Sequence, residues 1–119
     1  MGRSYDLSER LLNFASLISL ISDKLPRTFL GNHLSSQLIR SGTSPALHYG
    51  EAQAAESRAD FIHKMRVCLK ELRETFNCLK FIQRNSWIEN DLLINCLNEN
   101  NQLIAIFVKS INTADKGKK

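Results

Sequence analysis

Proline and glycine are scarce in this chain of 119 residues, which contains two prolines and five glycines. Folds built from many short strands need turn-forming residues at close intervals, and this sequence does not supply them. Apolar residues make up 43% of the chain and charged residues 24%, a balance that suits one globular core. The long segments without proline or glycine therefore predict a single all-α domain.

The sequence also lacks features that would place it in a membrane or a secretory pathway. No uninterrupted run of about 18 apolar residues occurs, so we expect no membrane span and no membrane partner. The start, with Tyr5, Asp6 and Glu9, does not have the apolar run of a signal peptide. The three cysteines, Cys68, Cys78 and Cys96, show no paired spacing, which disfavours a disulfide framework and a zinc site. We predict reduced, buried thiols in a cytoplasmic protein, without a metal or another cofactor.

The formal charge of +4 is not concentrated in the body of the chain. Residues 1–113 carry 13 basic and 11 acidic groups, and the rest of the excess lies in the lysine-rich end. Domains dedicated to nucleic acids usually have a stronger basic excess on one face. We divide the chain into a helical domain over residues 1–113 and a basic, disordered tail over residues 114–119. Two interpretations of the tail stay open, a solubilising end and a phosphate contact.

Four segments repeat apolar residues at steps of three and four, which is the spacing of an amphipathic helix. The first is predicted to begin at Asp6 or Ser8 and to end before Pro26. The second follows an N-cap at Thr28 and ends near Ala55, and the third lies between a cap at Ser57 and Asn85. The fourth begins around residues 87–91 and ends near Asn112, with a polar gap at 98–102.

The first helix carries Leu7, Leu11, Phe14, Ile18, Ile21 and Leu25. The second begins its apolar stripe with Phe29, Leu30, Leu34 and Leu38.

Long helices joined by short loops bury their apolar stripes together in an antiparallel up-down four-helix bundle, which is the predicted fold. Pro45 leaves two alternatives for the second helix. It can kink the helix, or it can follow Ser44 as the first residue of a new helix. We favour a kinked but continuous helix with its bend at residues 41–45.

The groups that could carry catalysis do not form a recognisable constellation. Asp60 and His63 lie one helical turn apart, as in di-iron bundles, but those sites need a second such motif and two further carboxylates. Ser41, Thr43 and Ser44 are not part of a G-x-S-x-G nucleophile elbow, and they lack the His and Asp partners that activate a nucleophilic hydroxyl. Hydroxyls at a bend more often bond backbone carbonyls. We therefore predict no catalytic residue, no metal site and no enzyme activity.

Residues 40–75 resemble the four-helix-bundle family of 23S rRNA intervening-sequence proteins. The resemblance rests on Arg40–Ser44, Tyr49, Glu51–Ala52, Asp60–Lys64, Leu69–Glu71 and Glu74–Thr75, and Tyr5–Leu7 with Lys24–Pro26 extend it over the chain. The sequence departs from the family pattern at residues 45–50, where an asparagine and an arginine are missing. The resemblance implies a ring-shaped homopentamer of four-helix bundles, similar to the accessory subunits of diversity-generating retroelements.

Two function classes follow. In the first, a basic patch repeated around the ring binds RNA or DNA, and the candidate residues are Arg40, Lys64, Arg66, Lys70 and Arg73. In the second, the ring is a scaffold that docks a partner enzyme and does not bind nucleic acid itself. The first helix is apolar over more of its circumference than a bundle interior needs, which predicts self-association. The candidate subunit contacts are Leu12, Leu17, Leu20, Glu71 and Glu74.

Overall fold

The computed structural model describes residues 3–117, with side chains from Leu7 onward, and folds them into four helices. These are α1 (Arg3–Asp23), α2 (Phe29–Gln53), α3 (Arg58–Arg84) and α4 (Asn90–Lys116). The connections are only a few residues long, so consecutive helices run antiparallel. The four helices pack in chain order, and α1 returns to contact α4. This confirms the predicted all-α up-down four-helix bundle.

Polar side chains set the starts of α2 and α3 where the sequence predicts them. The Thr28 hydroxyl accepts a hydrogen bond from the Gly31 N–H at 3.0 Å, and the Ser57 hydroxyl accepts one from the Asp60 N–H at 3.0 Å. The Asp60 carboxylate in turn accepts from the Glu56 N–H at 3.3 Å, one residue ahead of the usual capping-box donor. Both caps bond N–H groups that have no partner inside their helix.

The apolar seam predicted for the first helix forms the centre of the core. All six of its residues are buried, and Phe14, Ile18 and Ile21 are at most 1% exposed. The prediction was wrong for Phe29, which is 94% exposed. Phe29 precedes the buried Leu38 by nine residues, about two and a half turns, so the two side chains lie on opposite sides of α2.

Helix α2 continues through Pro45, with no break at Ser44. The Thr43 hydroxyl donates to the Ile39 carbonyl at 2.6 Å, and the Ser44 hydroxyl donates to the Arg40 carbonyl at 2.5 Å. These bonds give carbonyl groups additional donors just before the position where proline has no N–H. The serine and threonine hydroxyls at the predicted bend are therefore bonded to the helix backbone, as expected for hydroxyls at a bend.

Helix α4 is also continuous, through both the polar gap and the predicted domain boundary. Asn100, in the middle of the gap, is fully buried and donates through Nδ2 to the Leu72 carbonyl of α3 at 3.1 Å. The helix ends at Lys116, and Arg58 donates to the Gly117 carbonyl. The predicted tail is thus helical as far as Lys116, while Lys118 and Lys119 lie outside the described residues.

None of the described helices combines the length and the apolar character that a bilayer span requires.

Helices α1 and α2 are in close contact at Gly42, which is buried against Ile18. A Cβ atom at Gly42 would lie 2.7 Å from Ile18 Cγ1 and 2.8 Å from Cγ2, closer than nonbonded carbon atoms come. Ile18 is fully buried and cannot move away without disturbing its neighbours. Glycine at this position therefore sets the distance between the two helices.

We predict that Gly42→Ala destabilises the protein by about 1–3 kcal/mol, because overpacking outweighs the gain in helix propensity. Gly50 is the matched control, since it lies in the same helix and a Cβ there meets nothing within 4 Å. Gly50→Ala should stabilise the protein by about 0.5–1 kcal/mol. Urea unfolding of both variants measures the difference, and equal stability of the two variants would contradict the packing account.

Candidate nucleic-acid interface

The outer side of α3 carries a row of cations. Arg66, Lys70, Arg73, Lys80 and Arg84 follow one another at steps of four, three, seven and four, so their side chains share one helix face. All five are exposed, and the row extends for about 27 Å along the helix axis. The one residue that interrupts the repeat, Asn77, is uncharged. We call these five residues the α3 row.

The α3 row is free of the ion pairs found in the described part of the chain. The two other predicted binding residues are paired. Lys64 contacts Asp60 at 2.7 Å, which raises the pKa of the lysine and lowers that of the aspartate. Arg40 contacts Glu74 at 2.5 Å and also donates to Gln37 at 2.9 Å. The structure thus brings Arg66, Lys70 and Arg73 together on one face of α3, whereas Lys64 and Arg40 are each paired with a carboxylate.

Lys80 and Arg84 were missing from the sequence prediction. The signal was available, because both continue the spacing of Arg66 and Arg73 along one helix face. The pairing of Arg40 with Glu74 was not predictable from spacing, since the two residues lie on different helices. A sequence repeat reveals neighbours within a helix, whereas partners between helices depend on the rotation of each helix in the bundle.

The two acidic residues predicted at a subunit contact have partners inside the chain. Glu71 lies 3.1 Å from Nδ1 of His48, with its side chain only 13% exposed. Glu74 forms an ion pair with Arg40, and both side chains are about half exposed. Beneath them the Ser41 and Thr75 hydroxyls are hydrogen-bonded to each other at 2.9 Å in the buried contact between α2 and α3, and Thr75 donates to the Glu71 carbonyl at 2.8 Å. The role of Glu71 and Glu74 between subunits stays a prediction.

The residues considered for catalysis form hydrogen bonds and ion pairs within the bundle. Asp60 caps α3 and binds Lys64, and Ser41 is buried against Thr75. No three His, Cys, Asp or Glu side chains converge on a metal position within the described ranges. Burial raises the pKa of Cys68 and Cys96 to about 12 and that of Cys78 to about 11, so the thiols are protonated at neutral pH.

Large apolar side chains are also exposed on α1 and α2. Leu12 and Leu20 are 50% and 48% exposed, whereas Leu17 is partly buried against the core. On α2, Phe29 and Leu47 are also exposed, and their separation of 18 residues, five turns, places them on one side of the helix. We call Leu12, Leu20, Phe29 and Leu47 the α1/α2 apolar face.

The fold and these surfaces define a class: a small four-helix-bundle protein with a cationic row on one helix and exposed apolar residues on two others. The model of the 23S rRNA-intervening sequence proteins matches residues 3–109. The chain belongs to that family.

A solved structure supports the same assignment. It is the crystal structure of a protein of unknown function from the S23 ribosomal protein family of Bacteroides thetaiotaomicron, with a TM-score of 0.81 and 30% sequence identity. The match covers 88% of this chain and 97% of that one. A search of curated proteins gave no significant match.

Proposed function

We propose that this protein is a non-enzymatic, ring-forming, cytoplasmic bundle protein that binds RNA or another nucleic acid through the α3 row. The observation that carries the proposal is the row itself, five exposed cations on one helix face that take part in none of the ion pairs of the described residues. Cations spaced along a helix can neutralise the regularly spaced phosphates of a nucleic acid. This neutralisation releases counterions into solution, which favours binding.

Assembly strengthens such binding. One row offers few phosphate contacts, and contacts of this kind are weak at physiological salt. A ring repeats the row in every subunit, so that a ligand bound to one copy meets the next at a high effective concentration. The α1/α2 apolar face supports self-association. When a neighbouring subunit covers exposed leucine and phenylalanine side chains, their apolar surface is removed from water and the free energy of the assembly falls. The number of five subunits follows from the family resemblance alone.

The triple variant Arg66→Gln, Lys70→Gln and Arg73→Gln tests the row. A fluorescently labelled RNA hairpin with a single-stranded tail serves as probe, and binding is measured by anisotropy over a range of salt concentrations. Each phosphate contact contributes about 0.7–0.9 to the slope of log K against log salt, so the variant should lose about two slope units per bound row. Glutamine keeps helix propensity close to that of the residues that it replaces.

The matched control is Lys24→Gln, Arg27→Gln and Lys109→Gln, which removes the same charge from exposed positions away from the row. We expect a clearly smaller loss of affinity from this control. Equal losses in the two triple variants would mean that net charge, not the row, drives binding. Absence of binding by the wild-type protein at low salt would refute the nucleic-acid function. Recovery of one stable protein partner from nuclease-treated lysate would, in that event, favour the scaffold function.

Light scattering tests the assembly. We expect a particle several times the chain mass of 13.6 kDa, and five times that mass for the pentamer. Leu12→Gln with Leu20→Gln should shift the mass toward the monomer, because both changes place amides in the apolar contact. Ile94→Gln, which alters a similarly exposed residue on α4, should leave the mass unchanged. A wild-type monomer at micromolar concentration would contradict the ring.

A further inference from the structure

A small groove lies between α2 and α3, beside the α3 row. Its volume is about 210 Å³, below the roughly 300–1,000 Å³ of sites for drug-sized ligands. Leu34 and Cys78 contribute apolar atoms to it, and Phe81 lines it with a ring that is 49% exposed. The groove therefore has room for one flat ring system, with an aromatic side chain available to stack on it.

The groove also offers hydrogen-bonding groups. Arg40 donates to Gln37 Oε1 and to Glu74 Oε2, and these two bonds do not use Gln37 Nε2 or Glu74 Oε1. The exposed amide of Asn77 lines the same groove. Amide and carboxylate groups are the side chains that recognise the donor and acceptor pattern on the edge of a nucleobase.

The groove and the row are joined on α3. Asn77 occupies the uncharged position of the row, four residues after Arg73 and three before Lys80, and it also lines the groove. Phe81 follows Asn77 by four residues and precedes Arg84 by three, so it neighbours both on the helix surface. A strand whose phosphates follow the row would place its bases toward Phe81, provided that they are not paired to a second strand.

From this arrangement we infer that the Phe81 groove is a binding site for a single unpaired nucleobase of the strand held by the α3 row. The inference rests on the proposed nucleic-acid binding and specifies its substrate class, single-stranded segments or loops. Bases in a duplex are stacked on one another and cannot enter a side-chain groove, whereas splayed bases stack on aromatic rings and offer their edges.

The experiment compares Phe81→Ala with the wild-type protein on two probes, a labelled single-stranded oligo(A) and the same strand fully paired with oligo(U). Phe81→Ala should weaken single-strand binding at least about fivefold, the lower end for loss of one stacked base. Binding to the duplex should change little. The salt slope should stay the same for both probes, because no phosphate contact is removed.

Three further measurements separate stacking from folding. Phe81→Tyr should keep single-strand affinity because it keeps the ring. Ile94→Ala removes an apolar side chain on α4 that is 42% exposed and lies outside both the groove and the α1/α2 apolar face, so it should have no effect. A 2-aminopurine base in the single strand should lose fluorescence on binding the wild-type protein, through stacking, and keep it with Phe81→Ala.

Each outcome decides between the claims. If Phe81→Ala binds single strands as well as Ile94→Ala does, while the salt dependence remains steep, the base site is refuted and the nucleic-acid function stands. If the duplex binds more tightly than the single strand and is equally affected by Phe81→Ala, the proposed substrate class is wrong. If the wild-type protein binds neither probe at low salt, both the base site and the function are refuted.

Discussion

The contact between α2 and α3 is the constraint on which the exposed surfaces depend. At its centre the buried hydroxyls of Ser41 and Thr75 are 2.9 Å apart, and neither residue is more than 1% exposed. A rotation of either helix would break this bond and leave the buried Ser41 hydroxyl without its partner, whereas Thr75 would keep its bond to the Glu71 carbonyl of α3 at 2.8 Å. This bond and the burial of Leu72 and Leu79 together set the rotation of α3 about its axis. Because one side of α3 faces α2, the residues on the opposite side of α3 face solvent.

The outward side of α3 is cationic as a direct result. With Leu72, Thr75 and Leu79 buried, the positions on the far side of the helix are those of the α3 row. Carboxylates lie nearer the contact, where Glu71 and Glu74 bind groups of α2. Basic and acidic side chains therefore lie on different sides of α3. The separation keeps the cations of the row without ion-pair partners among the described side chains, which is the condition for attracting phosphates.

The helices and their caps were predictable because local rules govern them. The seam of the first helix, the caps at Thr28 and Ser57 and the continuity of the second helix all follow from spacing and from the chemistry of single residues. The exposed position of Phe29 was also calculable from helix geometry, but an apolar residue beside a stripe was counted as part of it. Periodicity alone does not identify the residues at which a stripe ends.

The candidate site was less predictable because it depends on contacts between helices. Arg40 looks like a free cation in the sequence, and only the packing of α2 on α3 brings it to Glu74. Asn100 looks like part of a polar interruption, yet it is buried because α3 supplies a carbonyl acceptor. The groove at Phe81 has no sequence motif at all, since its two walls come from different helices.

The central claim is that nucleic acid lies along the α3 row, and lysine-reactivity mapping tests it most directly. Lysines are acylated in the assembled wild-type protein with and without saturating hairpin RNA, and each site is quantified by mass spectrometry. The account predicts protection of Lys70 and Lys80 on the row, while Lys24 and Lys109, which are exposed elsewhere, stay reactive. Protection of Lys24 and Lys109 with unchanged reactivity at Lys70 and Lys80 would contradict it.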